Sequence, residues 1–340
     1  MGGGADDRAQ SVSTSSDGSI YITGYTNGSI DGQSNNGSND VFIAKFNSDG
    51  SKEWTKLLGG VSYDSAQSVS ISSDGSIYIA GSTQANIDVQ AYFGHYDAFI
   101  AKFNSEGSKE WIKLFGGDFA DHAQSVSAAS DGSIYIVGTN HNLGFDNQSN
   151  NGNADAFITK FNSDGSKEWT KLLGGGENDF AQSVSTSSDG SIYITGDTLG
   201  SIDGQSNNGS YDAFIAKFNS DGSKAWTKLL GGTSWEHAQS VSTSSDGSIY
   251  ITGYTYGSID GQSNNGNADA FITKFNSDGS KEWTKLLGGG ESDFASSIST
   301  ASDGSIYIAG GYTDGNLDGQ RIYGGTYSPH AFITKLNRDS

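Results

Sequence analysis

The sequence predicts an all-β fold, a six-bladed β-propeller of four-stranded antiparallel blades whose last blade lacks its outer strand. Three observations predict it. The phrase Ala-Gln-Ser-Val-Ser, or a close variant, starts at Ala9, Ala66, Ala123, Ala181, Ala238 and Ala295, so one unit of about 57 residues recurs six times. Every complete copy holds two Asp-Gly or Glu-Gly turns between short runs rich in Ile, Val, Thr, Tyr and Phe. Those runs carry apolar residues on both faces, which a blade sandwiched between two others requires. The copies cover residues 9–65, 66–122, 123–180, 181–237, 238–294 and 295–340 of a single domain spanning 1–340.

The first copy gives the elements in order. Gln10–Thr14 alternates as a short strand, and Ser16-Asp17-Gly18-Ser19 supplies a tight turn in which Gly takes positive φ. Ile20–Thr23 is the second strand, and a long polar loop from Tyr25 to Asp40 follows. Val41–Phe46 is the third strand, with Phe42, Ala44 and Phe46 on one face and Val41 and Ile43 on the other. A second turn, Ser48-Asp49-Gly50-Ser51, leads into the fourth strand, Glu53–Leu58, which Gly59-Gly60 ends. The short turns make two antiparallel hairpins, so each copy is a meander. An open β-solenoid is the alternative, and hairpins within each copy fit it less naturally. Trp54, Trp111, Trp169, Trp226 and Trp283 recur in the fourth strand and are expected to pack between outer strands. The sixth copy ends just past its third strand, at Lys335–Ser340. Its missing outer strand is either a trimmed edge that the ring tolerates or an unpaired edge that accepts a strand from another molecule.

Four stretches carry a family resemblance: Asp-x-Ala near the copy start, Asp189–Gly196 (Asp-Gly-Ser-Ile-Tyr-Ile-Thr-Gly), Asp212–Asn219 (Asp-Ala-Phe-Ile-Ala-Lys-Phe-Asn) and Trp169–Gly175 (Trp-Thr-Lys-Leu-Leu-Gly-Gly). Repeated along Gly2 to Asn337, they resemble the bacterial SBBP-type β-propeller repeat. The resemblance implies a propeller of surface or exported proteins, mostly with no assigned activity. The family's name refers to seven blades whereas this chain holds six copies, so blade number is not carried over. An extracellular or cell-surface location follows from the resemblance alone, since Met1–Asp7 has neither the basic nor the apolar region of a signal peptide.

Composition bounds the function. With 49 Gly among 340 residues the chain could read as disordered, but 16 Tyr, 17 Phe and 6 Trp argue for a packed core. A net charge of −20, from 19 basic and 39 acidic residues, disfavours nucleic acid and anionic membrane surfaces. No apolar run reaches the roughly 18–20 residues of a membrane span. Zero Cys excludes disulfides, thiolate metal sites and cysteine catalysis. Catalysis finds thin support, and the chain is read as a non-enzyme. His95, His122, His141, His237 and His330 stand in dissimilar contexts without metal-ligand spacing, and no Ser-His-Asp order is readable.

The loop between strands two and three and the loop between blades share one rim, which carries nearly all the differences between copies. Binding residues favour such loops on a rigid frame. Two acidic series recur there, Asp31, Asp88, Asp146, Asp203 and Asp260, and Asp40, Asp97, Asp155, Asp212 and Asp269. They are read either as acceptors for loop backbone N–H groups or as oxygen ligands for calcium, one site per blade. A third series, Asp7, Asp64, Asp121, Asp179, Glu236 and Asp293, stands at the copy starts. The divergent positions Tyr63, Tyr92, Phe93, His95, Tyr96, Phe119, Trp235, His237, Tyr323 and Tyr327 are candidate ligand-binding residues. Aromatics beside Asp, Asn and Gln suit sugars, whose C–H faces stack on rings while amides and carboxylates bind hydroxyls; equally, they suit plugs between blades. The expected function is therefore a recognition or adhesion module for a glycan or a surface protein. The alternatives are a structural or assembly component of a cell surface, appendage or virion, with self-association through the open sixth-blade edge, or a polysaccharide hydrolase or lyase.

Overall fold

The computed structural model describes residues 2, 4–88, 90–92, 94–141, 144–146, 148–311 and 330–337. The fold is a six-bladed β-propeller of antiparallel sheets, each strand pairing with its neighbour in sequence. Blade 1 holds β1 (Asp7–Thr14), β2 (Ile20–Thr26), β3 (Asp40–Phe46) and β4 (Lys52–Leu58). Blade 2 holds β5 (Asp64–Ile71), β6 (Ile77–Thr83), β7 (Asp97–Phe103) and β8 (Lys109–Phe115). Blade 3 holds β9 (Asp121–Ala128), β10 (Ile134–His141), β11 (Ala154–Phe161) and β12 (Lys167–Leu173). Blade 4 holds β13 (Asp179–Thr186), β14 (Ile192–Thr198), β15 (Asp212–Phe218) and β16 (Lys224–Leu230). Blade 5 holds β17 (Glu236–Thr243), β18 (Ile249–Thr255), β19 (Asp269–Phe275) and β20 (Lys281–Leu287). Blade 6 has three strands among the described residues, β21 (Phe294–Thr300), β22 (Ile306–Gly311) and β23 (Ala331–Leu336). Contacts divide the chain into two compact units, Met1–Leu172 and Leu173–Ser340, described separately below.

The hairpin turns form as their residues dictate. Gly18 has φ 84°, and the Asp17 carboxylate accepts hydrogen bonds from Ser15 Oγ (2.5 Å) and the Ser19 N–H (2.8 Å). Those bonds hold the exposed Asp17 carboxyl down at about 2. Strands one and two run further than their apolar runs suggest, because Asp7 pairs opposite Thr26 at the rim. The long loop also contains its own hairpin. Ile30 and Gln33 exchange backbone hydrogen bonds across Asp31 (φ 52°) and Gly32 (φ 74°), a turn that needs positive φ at both central residues.

That small hairpin covers the free edge of the fourth strand. In blade 3 the Gln148 amide donates to Thr170 O (2.7 Å) and accepts from the Leu172 N–H (3.3 Å), so a side chain satisfies groups that would otherwise template further pairing. Gln148→Ala is expected to cost about 1 kcal/mol, because the exposed edge turns to water instead. Denaturant unfolding checks this; an unchanged midpoint would show that the clamp is not formed.

Blades pack through one repeated interface. In the first unit, Tyr21, Val41 and Ile43 of blade 1 meet Val69, Ile77, Ile79 and Phe99 of blade 2. In the second unit, Tyr193, Ala213 and Ile215 of blade 4 meet Val241, Ile249, Ile251 and Phe271 of blade 5. The tryptophans do pack between outer strands: Trp54 lies 6.2 Å from Tyr21, and its indole N–H donates to Ser105 O (3.3 Å) in the next blade. A Cβ on Gly107 would come within 3.0 Å of that ring.

Candidate functional site

The two acidic series occupy different environments. Asp31 sits at the loop hairpin, ion-paired to Lys52 Nζ (2.5 Å) and accepting from Thr55 Oγ1 (2.6 Å). Asp88, Asp146, Asp203 and Asp260 likewise pair with Lys109, Lys167, Lys224 and Lys281. The backbone turn and these partners account for the series. Asp40, Asp97, Asp155, Asp212 and Asp269 are instead buried at the starts of third strands.

The structure brings the second series beside the third, not beside the first. A Cβ on Gly59 would stand 2.4 Å from Asp40 Oδ1 and 3.0 Å from Asp64 Oδ2, so the glycine after the fourth strand leaves space that two carboxylates fill. Gly288 plays the same part against Asp269, and Gly231 against Asp212. Desolvation raises the carboxyl pKa of Asp40, Asp64, Asp155, Asp212, Glu236, Asp269 and Asp293, and pushes Asp121 up to about 6. Backbone N–H groups offset part of that cost: Asn36 donates to Asp40 (2.9 Å) and Gly60 to Asp64 (2.7 Å). Among the described residues no three His, Asp or Glu side chains converge as a metal-ligand group. These acids lock the loop after each fourth strand to the next blade.

The aromatic positions gather along the variable rim. In the first unit Tyr63 stands between Tyr25 (6.1 Å between ring centroids) and Tyr96 (6.4 Å), and Tyr96 lies 4.8 Å from His122. Tyr92 donates its hydroxyl to the carbonyl of His95 (2.7 Å). His95 is exposed, Phe119 is half-buried, and neither joins this chain of rings. Phe93, Tyr323 and Tyr327 lie outside the described residues.

The second unit holds the denser cluster. Trp235 stands 48% exposed and Tyr256 43% exposed, 5.8 Å apart between centroids. Behind them, His237 contacts Tyr254 (5.0 Å) and Tyr211 (5.2 Å), and Tyr254 contacts Phe294 (4.7 Å). Burial, with Tyr256 and Asp197 nearby, raises the Tyr254 phenol. Asp197 is 3% exposed; its Oδ2 lies 3.3 Å from His237 Nδ1, and its buried Oδ1 has no hydrogen-bond partner. The site therefore offers two exposed ring faces backed by an imidazole, a phenol and a buried carboxylate.

Tyr25, Asp197, Tyr211, Tyr254 and Tyr256 join the site without having been singled out from sequence. The signal existed, since one place in the second strand reads Tyr25, Ser82, Thr139, Asp197, Tyr254 and Gly311 inside an otherwise repeated phrase. Its cross-strand partner varies in step, as Phe180 faces Asp197 and His237 faces Tyr254. Elsewhere, a cleft of about 230 Å³ between the turns of blades 4 and 5 is lined by Ser187, Asp189, Thr243 and Asp246. It opens on the repeated turns.

Known proteins fall on the same fold. The SBBP β-propeller repeat family matches residues 53–88 and 168–203, and a β-propeller domain family of unknown function (DUF5122) matches 15–53, 187–224 and 244–282. The regulatory protein FlaEY of Caulobacter vibrioides is 25% identical over 191 residues, 50% of this chain and 20% of that protein, so the match spans about a fifth of its length. A mutant NanB sialidase from Streptococcus pneumoniae superposes with a TM-score of 0.57 at 10% identity, covering 98% of this chain and 68% of that one. The β-propeller domain of the Trilobed protease from Pyrococcus furiosus, described as having an open velcro topology, gives 0.50 at 12% identity over 89% and 77%. At such identities the likeness is one of fold.

Proposed function

We propose that this chain, segments of which match SBBP-type and DUF5122 β-propeller repeats, is a non-enzymatic recognition module that binds a glycan through the aromatic rim of blades 4 and 5. The pair Trp235 and Tyr256 carries this reading, because about half of each large ring stays in solvent beside polar groups while the rest packs on the cluster behind. Sugar C–H faces stack on the two rings, the half-buried phenol of Tyr254 stands within the same cluster to order hydroxyls, and the buried Asp197 carboxylate holds His237 behind them. Repetition of lesser rim clusters, such as Tyr25–Tyr63–Tyr96, adds weak sites that a multivalent glycan engages together.

A glycan array probed with and without chelator tests the proposal. Selective binding that survives the chelator, and falls about twofold to tenfold in Trp235→Ala with the fold intact, is the expected result. Each rim stack is worth about 0.5–1.5 kcal/mol, and tenfold, at the top of that range, corresponds to about 1.4 kcal/mol. Binding abolished by the chelator, or unchanged in Trp235→Ala, contradicts the reading. Release of reducing sugar from bound glycans would replace it with the hydrolase alternative, with His237 and Asp197 the first pair to examine.

A further inference from the structure

In four blades a lysine of the third strand is neutralised by a glutamate of the fourth. Lys45 pairs with Glu53 (2.9 Å), and Lys102, Lys160 and Lys274 pair with Glu110, Glu168 and Glu282 (2.8 Å). Blade 4 breaks the pattern, because Ala225 stands where the glutamate belongs. Its lysine, Lys217, turns across the junction instead. The ammonium donates to Ser277 O of blade 5 (3.2 Å) and lies over the Tyr193 ring, 5.4 Å from the centroid. One bond to Ser277 leaves two of its three N–H donors for another acceptor.

The cleft between the turns of blades 4 and 5 opens at that lysine, since Tyr193 and Ser277 both line it. Ser187, Thr243 and Ser244 line it too and bring hydroxyls from both blades. At the other junctions inside the two units, the places of Thr243 and Ser244 read Ile71-Ser72, Ala128-Ala129 and Thr300-Ala301. The junction that frees its lysine is therefore also the one of these four with a hydroxyl at both places. Opposite charge comes from the exposed Asp189 and Asp246 in the same lining. The Ser187 hydroxyl and the Ser191 N–H (2.9 Å) donate to Asp189, and with Lys217 nearby they hold its carboxyl below the usual carboxylate range.

Size and charge narrow the occupant. A volume of about 230 Å³ lies under the roughly 300–1,000 Å³ of drug-sized sites, so only a small molecule fits. A lone anion would meet two carboxylates, and a lone cation would meet Lys217. A molecule carrying both charges avoids either repulsion. We propose that this cleft is a second binding site, independent of the aromatic rim, for a small zwitterion of the α-amino acid type. The ligand carboxylate takes the remaining N–H donors of Lys217, and its ammonium is drawn to Asp189 and Asp246. Thr243 and Ser244 offer hydroxyls to a short polar side chain. A glutamate at 225 would claim the ammonium for itself, which is why its loss in this blade matters.

Titration calorimetry of the full chain with L-serine, with acetate and methylamine as the two half-ligands, tests the proposal. L-Serine is expected to bind at one site per chain, at least tenfold more tightly than either half. Ala225→Glu restores the ion pair of the other blades at an exposed position and leaves every lining residue in place. With its thermal melt unchanged, this variant is expected to bind L-serine at least tenfold more weakly. No binding of L-serine overturns the proposal, as does binding that Ala225→Glu leaves unchanged. Acetate bound as tightly as L-serine also overturns it, because the cleft would then be an anion site only. No glycan takes part in the test, so its outcome is independent of the rim.

Discussion

Gly138→Ala is expected to destabilise the chain by on the order of 4 kcal/mol, in the range reserved for severe core lesions. The reason is a bulge, not a turn. In blade 3 the register between β9 and β10 shifts next to Gly138, so the first strand carries an extra residue and its backbone leans across the second. A Cβ on Gly138 would stand 1.8 Å from His122 O and 3.0 Å from Ala123 Cα. Those are backbone atoms tied into the sheet, and no rotamer change relieves the clash. The same approach recurs at Gly24, Gly81, Gly196, Gly253 and Gly310, at 1.8–2.0 Å. Gly132→Ala is the control: its φ of 86° strains any L side chain, yet nothing lies within 4 Å, so its cost stays near 1 kcal/mol. Denaturant unfolding of the two variants reads the contrast. Equal losses at both positions would contradict the bulge account.

The second large effect is a stability that rises as the pH falls. Asp121 is buried, its carboxyl pushed up from 3.8 to about 6 by desolvation, with Asp97 and Asp146 adding to it. A carboxyl whose folded pKa is raised binds its proton more tightly in the folded chain than in the unfolded one. Ionisation therefore costs stability in full above about pH 6, and the cost disappears as the pH falls from 6 to 3.8. For a carboxyl raised from 3.8 to about 6 that cost is about 3 kcal/mol. Asp40, Asp64, Asp155, Asp212, Glu236, Asp269 and Asp293 are raised for the same leading reason and act in the same direction. The opposing group is the turn acids such as Asp17, lowered to about 2, whose stabilisation fades only below 3.8. Maximum stability is thus expected near pH 4 to 5.

Asp121→Asn isolates the effect. Asp121 accepts from the Gly117 N–H (2.6 Å) and from the Asn140 amide, whose own Oδ1 is buried without a partner. An asparagine at 121 keeps the bond from Gly117 and donates to Asn140 once that amide turns over. The variant is expected to be more stable than the wild type at pH 8, equal to it near pH 4, and flatter between. Thermal melts over that range check it. A wild-type maximum at pH 7, or a variant weaker at every pH, would contradict the assignment of Asp121 as a buried, costly ion.

Much of this architecture was legible in the repeat. The spacing of Ala-Gln-Ser-Val-Ser, the paired turns and the two-faced third strand yield six blades, and Trp54 and its counterparts pack between outer strands as their position implies. What stayed hidden depends on contacts between copies. Asp31 and Asp40 look alike as loop acids, yet one pairs with Lys52 in solvent and the other is buried beside Asp64 of the next blade. Repetition marks both equally and cannot tell an exposed ion pair from a desolvated one. The rim cluster escaped for the opposite reason: Asp197 and Tyr254 sit inside a strand phrase whose sameness drew attention to its fixed residues. Only the pairing of Phe180 with Asp197 and of His237 with Tyr254 brings the variable positions to one place.

The central claim is that ligand meets the variable rim of blades 4 and 5 and not the repeated turns. Hydrogen–deuterium exchange on the chain with and without a glycan selected on the array tests this most directly. Slowed exchange at residues 233–237 and 254–257, with the turns at 187–190 and 244–247 unchanged, is the expected result. Protection confined to those turns, where the cleft lined by Asp189 and Asp246 opens, would contradict the account.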